Sequence, residues 1–158
     1  MDFDKIYVRE PHSDVTPALL DCSTSEWCAD KIGDALFNCG AESIFFPDAG
    51  AAKRYSEFKF PHAVGHKSRD FKTGNIQSFD LIGEIAEKVL IVDDMCSRGG
   101  TFVHSAKLLK EKGAKEVYLM VAYCENTVFE GELFDYVEKL YISKDNVMSQ
   151  TNEKIVMI

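Results

Sequence analysis

The sequence predicts an α/β domain with a mostly parallel central sheet flanked by helices. Short apolar runs alternate with segments of helical spacing along the chain, the pattern of strands joined by crossover helices. One run, Val89-Leu90-Ile91-Val92, is apolar at every position, as a central strand covered on both faces must be. The length of 158 residues, 46% hydrophobic and 28% charged, suits one domain with one core.

The elements follow in order. Candidate strands cover residues 5–8, 43–46, 88–92, 116–122 and 139–142. Residues 25–39 read as a helix that Ser23 or Ser25 can cap and Gly40 can end. Residues 102–112 carry apolar side chains at helical spacing and stop at Gly113, and a last helix or turn covers 131–137. Residues 60–78 differ: they hold Lys67, Arg69, Asp70, Lys72 and Gly74 with little apolar periodicity. They read as an exposed, mobile loop between two strands, the kind of loop that often serves a site. No repeat, low-complexity tract or linker divides residues 1–158, which read as a single domain.

Charge and composition exclude several classes. The net charge of -8, with a pI near 5.0, offers no basic face, which argues against a nucleic-acid partner. A small anion is still compatible, because backbone amides, a few cations and a metal ion can hold it locally. No stretch approaches the roughly 20 apolar residues that span a bilayer. The start, Met1-Asp2-Phe3-Asp4-Lys5, lacks the pattern of a secretory signal, so the chain is expected in the cytoplasm and away from membranes. The five cysteines form no C-x-x-C pair and read as reduced thiols.

The most informative segment begins where the apolar strand ends. Asp93-Asp94 are followed by Met95-Cys96-Ser97-Arg98-Gly99-Gly100-Thr101 and then by a helix. Ligands of open α/β sheets bind beyond the carboxyl ends of strands, which is where these residues fall. Adjacent carboxylates suit ribose hydroxyls or a magnesium shell. Gly99 and Gly100 let a phosphate approach the backbone, and Thr101 opens a helix whose free amides favour an anion. The plain alternative is a strand-turn-helix connection with Ser97 or Thr101 as an N-cap. A nucleotide-hydrolase acidic strand would need G-x-x-x-x-G-K-[ST], and a dinucleotide site G-x-G-x-x-G; the chain has neither.

Val89 to Met95 followed by Gly99-Gly100-Thr101 resembles the phosphoribosyl-pyrophosphate (PRPP) motif of type I phosphoribosyltransferases. Three further segments resemble, in order, the C-terminal half of ribose-phosphate diphosphokinase, the family that makes PRPP from ribose 5-phosphate and ATP. They are Glu10-Pro11-His12, Pro47-Asp48-Ala49-Gly50 and Lys67-Ser68-Arg69. Each taken singly is a polar turn, a helix cap or a solvated charge cluster. The resemblance implies a phosphoribosyltransferase-like fold, with His12 and Asp48 helping to place Mg2+ and Lys67 and Arg69 catalytic on a flexible loop. It further implies that Asp93, Asp94, Ser97, Arg98, Gly99, Gly100 and Thr101 bind ribose 5-phosphate or PRPP. It departs at Glu10, at Ser97-Arg98 and at Tyr123-Cys124-Glu125, where the family has T-H-G, and it weakens after Ala122.

The implied activity is magnesium-dependent diphosphoryl transfer from ATP to O1 of ribose 5-phosphate, in a homo-oligomer. ATP enters if a complementing N-terminal half is present, so the chain is expected to be a fragment, to have a partner chain, or to have changed task. Two other readings use the same pocket. One is a free-standing phosphoribosyltransferase that joins PRPP to a nucleobase, and the other a non-catalytic PRPP-binding regulatory subunit.

Overall fold

The computed structural model describes residues 3–69, 76–144 and 148–158, with the side chains of 67–69 and 76–79 outside that description. In chain order the elements are β1 (Ile6–Arg9), α1 (Val15–Ala18), β2 (Ser23–Glu26), α2 (Ala29–Cys39), β3 (Ser43–Phe46), α3 (Ala49–Arg54), β4 (His62–Arg69) and β5 (Ile76–Gly83). They continue as β6 (Lys88–Cys96), α4 (Gly100–Glu111), β7 (Glu116–Cys124), a 3-10 turn (Asn126–Glu130), α5 (Leu133–Tyr136), β8 (Leu140–Ile142) and β9 (Ile155–Met157).

Seven strands make one sheet in the order β5-β4-β3-β6-β7-β8-β9, while β1 and β2 form a separate parallel pair. Within the large sheet every neighbouring pair is parallel except β4 and β5. The expected mostly parallel α/β sheet is therefore present. Strand alternation sorts its central side chains onto two faces. Val89 and Ile91 of β6, with Val117, Leu119 and Val121 of β7, pack with Phe102, Ala106 and Leu109 of α4. Leu90 and Val92, with Tyr118, Met120 and Ala122, pack with Ile32, Ala35 and Leu36 of α2. A strand buried on both sides has no polar position to spare, which is why this run is apolar throughout.

Three expectations need correction. Residues 25 and 26 do not begin the helix: residues 23–26 are strand β2, pairing in register with β1 from Ile6↔Ser23 to Arg9↔Glu26. The short hydroxyl side chains Ser23, Thr24 and Ser25 compete for backbone hydrogen bonds and suit a half-buried strand better than a helix interior. Helix α2 starts at Ala29 with Cys28 as its N-cap; Ser23 Oγ donates instead to the Pro17 carbonyl, 3.1 Å away. At its other end Gly40 is the left-handed cap, φ 65, as expected.

Residues 60–78 are not one loop: β4 and β5 pair antiparallel from Ala63↔Gly83 to Arg69↔Ile76. The inward positions of β4 that are described are Ala63 and Gly65, flanked by exposed His62 and His66. Such small buried residues carry little hydrophobic signal, so the alternation was silent. Residues 70–75, among them Asp70, Lys72 and Gly74, lie outside the described residues.

The third correction is one of extent. β6 runs four residues past Val92, because β7 is equally long and pairs with it as far as Cys96↔Cys124. Among the described residues no helix is long and apolar enough to cross a membrane, and none of the five cysteines is in a disulfide.

Candidate functional site

Unequal strand lengths open the site. β3 pairs with β6 only from Ser43↔Val89 to Phe45↔Ile91 and ends at Phe46. β6 continues, so Asp93 and Asp94 have β7 on one side and only the chain after β3 on the other. That chain turns at Asp48, whose backbone is extended (φ -158, ψ 175) and whose Oδ1 accepts the Ala51 amide at 3.0 Å. This N-cap fixes the entry of α3, six residues long, and its last residue, Arg54, reaches back to the acidic pair.

The contacts are specific. Arg54 Nη1 lies 3.2 Å from Asp93 Oδ1 and 3.3 Å from Asp94 Oδ1. Its Nη2 donates to the His12 carbonyl at 3.1 Å. His12 Nδ1 stands 2.7 Å from Asp94 Oδ2. The Arg54 side chain is 5% exposed, whereas that of His12 is 84% exposed. One buried guanidinium thus ties together β6, α3 and the turn after β1, and its planar fork suits two carboxylates better than an ammonium would.

The two acids differ electrostatically. Burial pushes Asp93 up to about 6; the neighbouring Asp94 charge adds to the rise, and the Asp94 amide and Arg54 oppose it. Burial also works against charge on Asp94, but the His12 hydrogen bond and Arg54 outweigh it and hold that carboxyl below its ordinary range. Arg54 pays a burial penalty too, yet the facing carboxylates of Asp94 and Asp93 keep it above its usual value. The pair therefore presents one firm anion and one carboxylate that protonates readily, both able to accept from sugar hydroxyls.

Beyond Cys96 the chain forms the glycine bend. Gly99 has φ 82 and is the N-cap of α4, which begins at Gly100, one residue before the expected Thr101. A β-carbon on Gly99 would press on Leu133 at 3.0 Å, whereas one on Gly100 meets nothing within 4 Å. Ser97, Arg98, Gly100 and Thr101 are exposed, so the bend is open to solvent. The first amides of α4 have no carbonyl one turn back, which makes this helix start suited to an anion. Ser97 and Arg98 are already engaged, Ser97 Oγ with Glu125 Oε2 at 2.7 Å and Arg98 Nη2 with Glu130 Oε2 at 2.7 Å.

The remaining candidates are placed less completely. Among the described residues no hydrogen bond joins His12 to Asp48, and no group of three or more His, Cys, Asp or Glu forms a metal cluster. Lys67 and Arg69 lie on β4, which runs parallel to β3, so the backbone carries them past the carboxyl end of β3, the end of the sheet toward which Asp48 and Asp93 also lie. Their side chains are outside the described residues.

Glu10, read from the sequence only as a departure from the family pattern, and residues the sequence did not single out complete the frame. Glu10, 5% exposed with φ 48, accepts the Tyr55 hydroxyl at 2.8 Å and the Cys28 amide, tying β1 to α2 and α3. A pocket of about 420 Å³ lies beside this frame, lined by His12, Trp27, Lys53, Arg54, Tyr55 and Phe58 among others. It meets the acidic pair only through His12 and Arg54; the residues of the glycine bend are not part of its wall. Arg54 itself stood in view, six residues after the capping Asp48, but a cation at the end of a helix six residues long has no signature until the neighbouring strand is known.

Residues 55–148 match the family model described as the phosphoribosyl transferase domain. The chain belongs to that family. Ribose-phosphate pyrophosphokinase of Marinomonas sp. (strain MWYL1) is 38% identical over 144 residues, 85% of this chain and 44% of that protein. Ribose-phosphate pyrophosphokinase 5 of Schizosaccharomyces pombe is 33% identical over 106 residues, 64% of this chain and 30% of the relative. The chain thus spans less than half the length of these relatives, which are transferase enzymes by name. Among solved structures, phosphoribosylpyrophosphate synthetase from Mycobacterium smegmatis superposes with a TM-score of 0.77 at 16% identity, over 98% of this chain and 54% of that one. Purine phosphoribosyltransferase from Pyrococcus horikoshii superposes at 0.54 and 15% identity, over 99% of both chains. At these identities the two superpositions show a shared fold.

Proposed function

We propose that this chain is a ribose-phosphate-binding domain that takes part in diphosphoryl transfer from ATP to ribose 5-phosphate. The observation that carries the reading is the joining of Asp93 and Asp94, at the end of β6, to a glycine-led helix start within one connection. Acceptors for sugar hydroxyls, late in the strand, and amides for a phosphate, at the helix start, therefore flank a single short connection. The resemblance to ribose-phosphate pyrophosphokinases supports the choice of substrate.

Mg2+ fits this donor set. Asp48 offers the oxygen ligand a hard cation prefers, and His12 helps to place the ion. Magnesium is commonly held by one or two carboxylates together with substrate phosphates, so the absence of a three-ligand protein cluster among the described residues is no obstacle. When bound it would neutralise charge on the transferring group. His12, with Nδ1 engaged by Asp94, orients that carboxylate. Lys67 and Arg69 supply cationic charge to the diphosphoryl group from the β4 end, since such transfer depends mainly on positioning and charge stabilisation. The ATP site is completed by residues outside this chain, in a homo-oligomer or by a complementing half, and the cytoplasm is the setting.

Calorimetric titration of ribose 5-phosphate and of PRPP with Mg2+ tests the reading. Binding of either is expected, with little or no turnover of ATP by this chain alone. Folded protein giving no heat with either ligand overturns it. Pyrophosphate release from PRPP and a nucleobase, without ATP, would replace it by the free-standing phosphoribosyltransferase. Lys67→Ala with Arg69→Ala, assayed with a complementing half supplied, separates the third reading: an enzyme loses catalysis while binding the sugar phosphate, and a regulatory subunit keeps its effect.

A further inference from the structure

The polar side chains that the glycine bend offers are both held by carboxylates from one short segment. Ser97 Oγ donates to Glu125 Oε2 at 2.7 Å, and Thr127 Oγ1 donates to the same oxygen at 3.2 Å. The two hydroxyl oxygens stand 3.1 Å apart. Arg98 pairs with Glu130 at 2.7 Å. Glu125 is placed firmly: its amide donates to the Cys96 carbonyl at 2.9 Å, alongside the register pair Cys96↔Cys124. Its carboxylate does not cap the 3-10 turn that it precedes. The carboxylate instead gathers the Ser97 and Thr127 hydroxyls on one oxygen.

We propose that Glu125 sets the anion selectivity of the glycine bend, restraining its affinity for bare phosphate relative to a sugar phosphate. The proposal rests on the ribose-phosphate reading of that bend. A hydroxyl has one proton to donate, and Ser97 gives its proton to Glu125. For Ser97 to serve a phosphate it must turn that proton away, which leaves a carboxylate facing a dianion. The bend in its present state receives phosphate through the backbone amides of α4, with Ser97 withheld. A ligand that brings its own hydrogen-bond donor to Glu125, such as a sugar hydroxyl beside its phosphate, is disfavoured less than a bare anion.

The test is a double-mutant cycle on the full chain, with inorganic phosphate and ribose 5-phosphate as probes. Glu125→Gln keeps the shape and removes the charge. It is expected to bind inorganic phosphate roughly three- to tenfold tighter, the worth of about one hydrogen bond regained at an exposed site. Ser97→Ala completes the cycle, and in the Glu125→Gln background it is expected to abolish the gain. Glu125→Asp keeps the charge and should bind no tighter than the parent. A melting temperature equal to that of the parent shows that the bend is intact, and Glu125→Ala repeats the measurement if the glutamine variant melts early. Unchanged or weaker phosphate binding by both charge-removing variants overturns the proposal, as does a cycle in which the Ser97 and Glu125 effects simply add. If the parent binds ribose 5-phosphate and only the gain is missing, the selectivity role alone falls. If the parent binds neither ribose 5-phosphate nor PRPP, the ribose-phosphate reading falls with it.

Discussion

A β-carbon on Gly131 would overlap the carbonyl oxygen of Arg98. The chain leaving the 3-10 turn therefore rests on the backbone of the glycine bend itself, not on a side chain that can swing aside. Gly131 has φ -103 and ψ -176, a conformation open to any residue, so replacing it tests close packing alone. Gly131→Ala is expected to cost about 1–3 kcal/mol, the usual range for overpacking against groups that cannot yield. Urea unfolding measures it. Affinity for ribose 5-phosphate should fall in parallel, and a variant with parental stability would show that the bend is not braced here.

The neighbouring glycines 99 and 100 should respond with opposite signs. Gly99 combines φ 82 with a close approach to Leu133, so Gly99→Ala pays for a left-handed backbone and for a crowded β-carbon. A loss of roughly 1–3 kcal/mol is expected. Gly100 is the first residue of α4 and open around its α-carbon, so Gly100→Ala should be neutral or stabilise by up to about 1 kcal/mol. Two chemical-denaturation curves decide the matter. Equal effects would contradict the conformations assigned to the bend.

The contrast between these glycines shows what a sequence discloses and what it withholds. Val89 to Val92 announced a central strand because burial on both faces demands apolar residues, and Gly40 announced a helix end because its backbone is left-handed. The acidic pair and the glycine bend were legible for the same reason: the chemistry needs those residue types in that order. Arg54 was not legible, because its role arises from the difference in length between β3 and β6. Nor was the β4–β5 hairpin, whose buried positions Ala63 and Gly65 are too small to mark a period. Glu125 appeared only as a departure from a pattern; its grip on Ser97 needed the β6–β7 register to be seen.

Arg54 is expected to be the most costly single removal in the site. Its side chain is 5% exposed and faces Asp93 and Asp94, themselves 17% and 10% exposed. Arg54→Ala strands two buried carboxylates beside each other, and loss of one partner of a buried pair typically costs about 3–5 kcal/mol. Arg54→Lys, which retains charge but loses the fork, should fall between. Thermal melts of the three proteins at one pH give the order. An alanine variant as stable as the parent would mean that the acids find another partner.

Asp93 gives the fold a pH dependence of definite sign. Its carboxyl is pushed up to about 6 by burial, with the Asp94 charge adding, from an ordinary value of 3.8. Below the ordinary value the group is protonated in both the folded and unfolded chain. Between that value and about 6 the unfolded chain has released its proton and the folded chain retains it, so the folded state binds more protons and stability falls as pH rises. Above about 6 the penalty is complete, at most about 3 kcal/mol for a shift of this size. Asp94, held low by His12 and Arg54 against its own burial, works in the opposite sense, and its contribution is lost as the pH falls below the ordinary carboxylate range. Asp93→Asn cannot release a proton and lacks the first of these slopes. Urea unfolding of both proteins at pH 4.5 and pH 7 (roughly the two ends of the window) should show the asparagine variant gaining on the parent at the higher pH. A stability difference that stays flat across that interval would mean that Asp93 is ionised in the folded chain throughout, with Arg54 and solvent stabilising its charge more than burial opposes it.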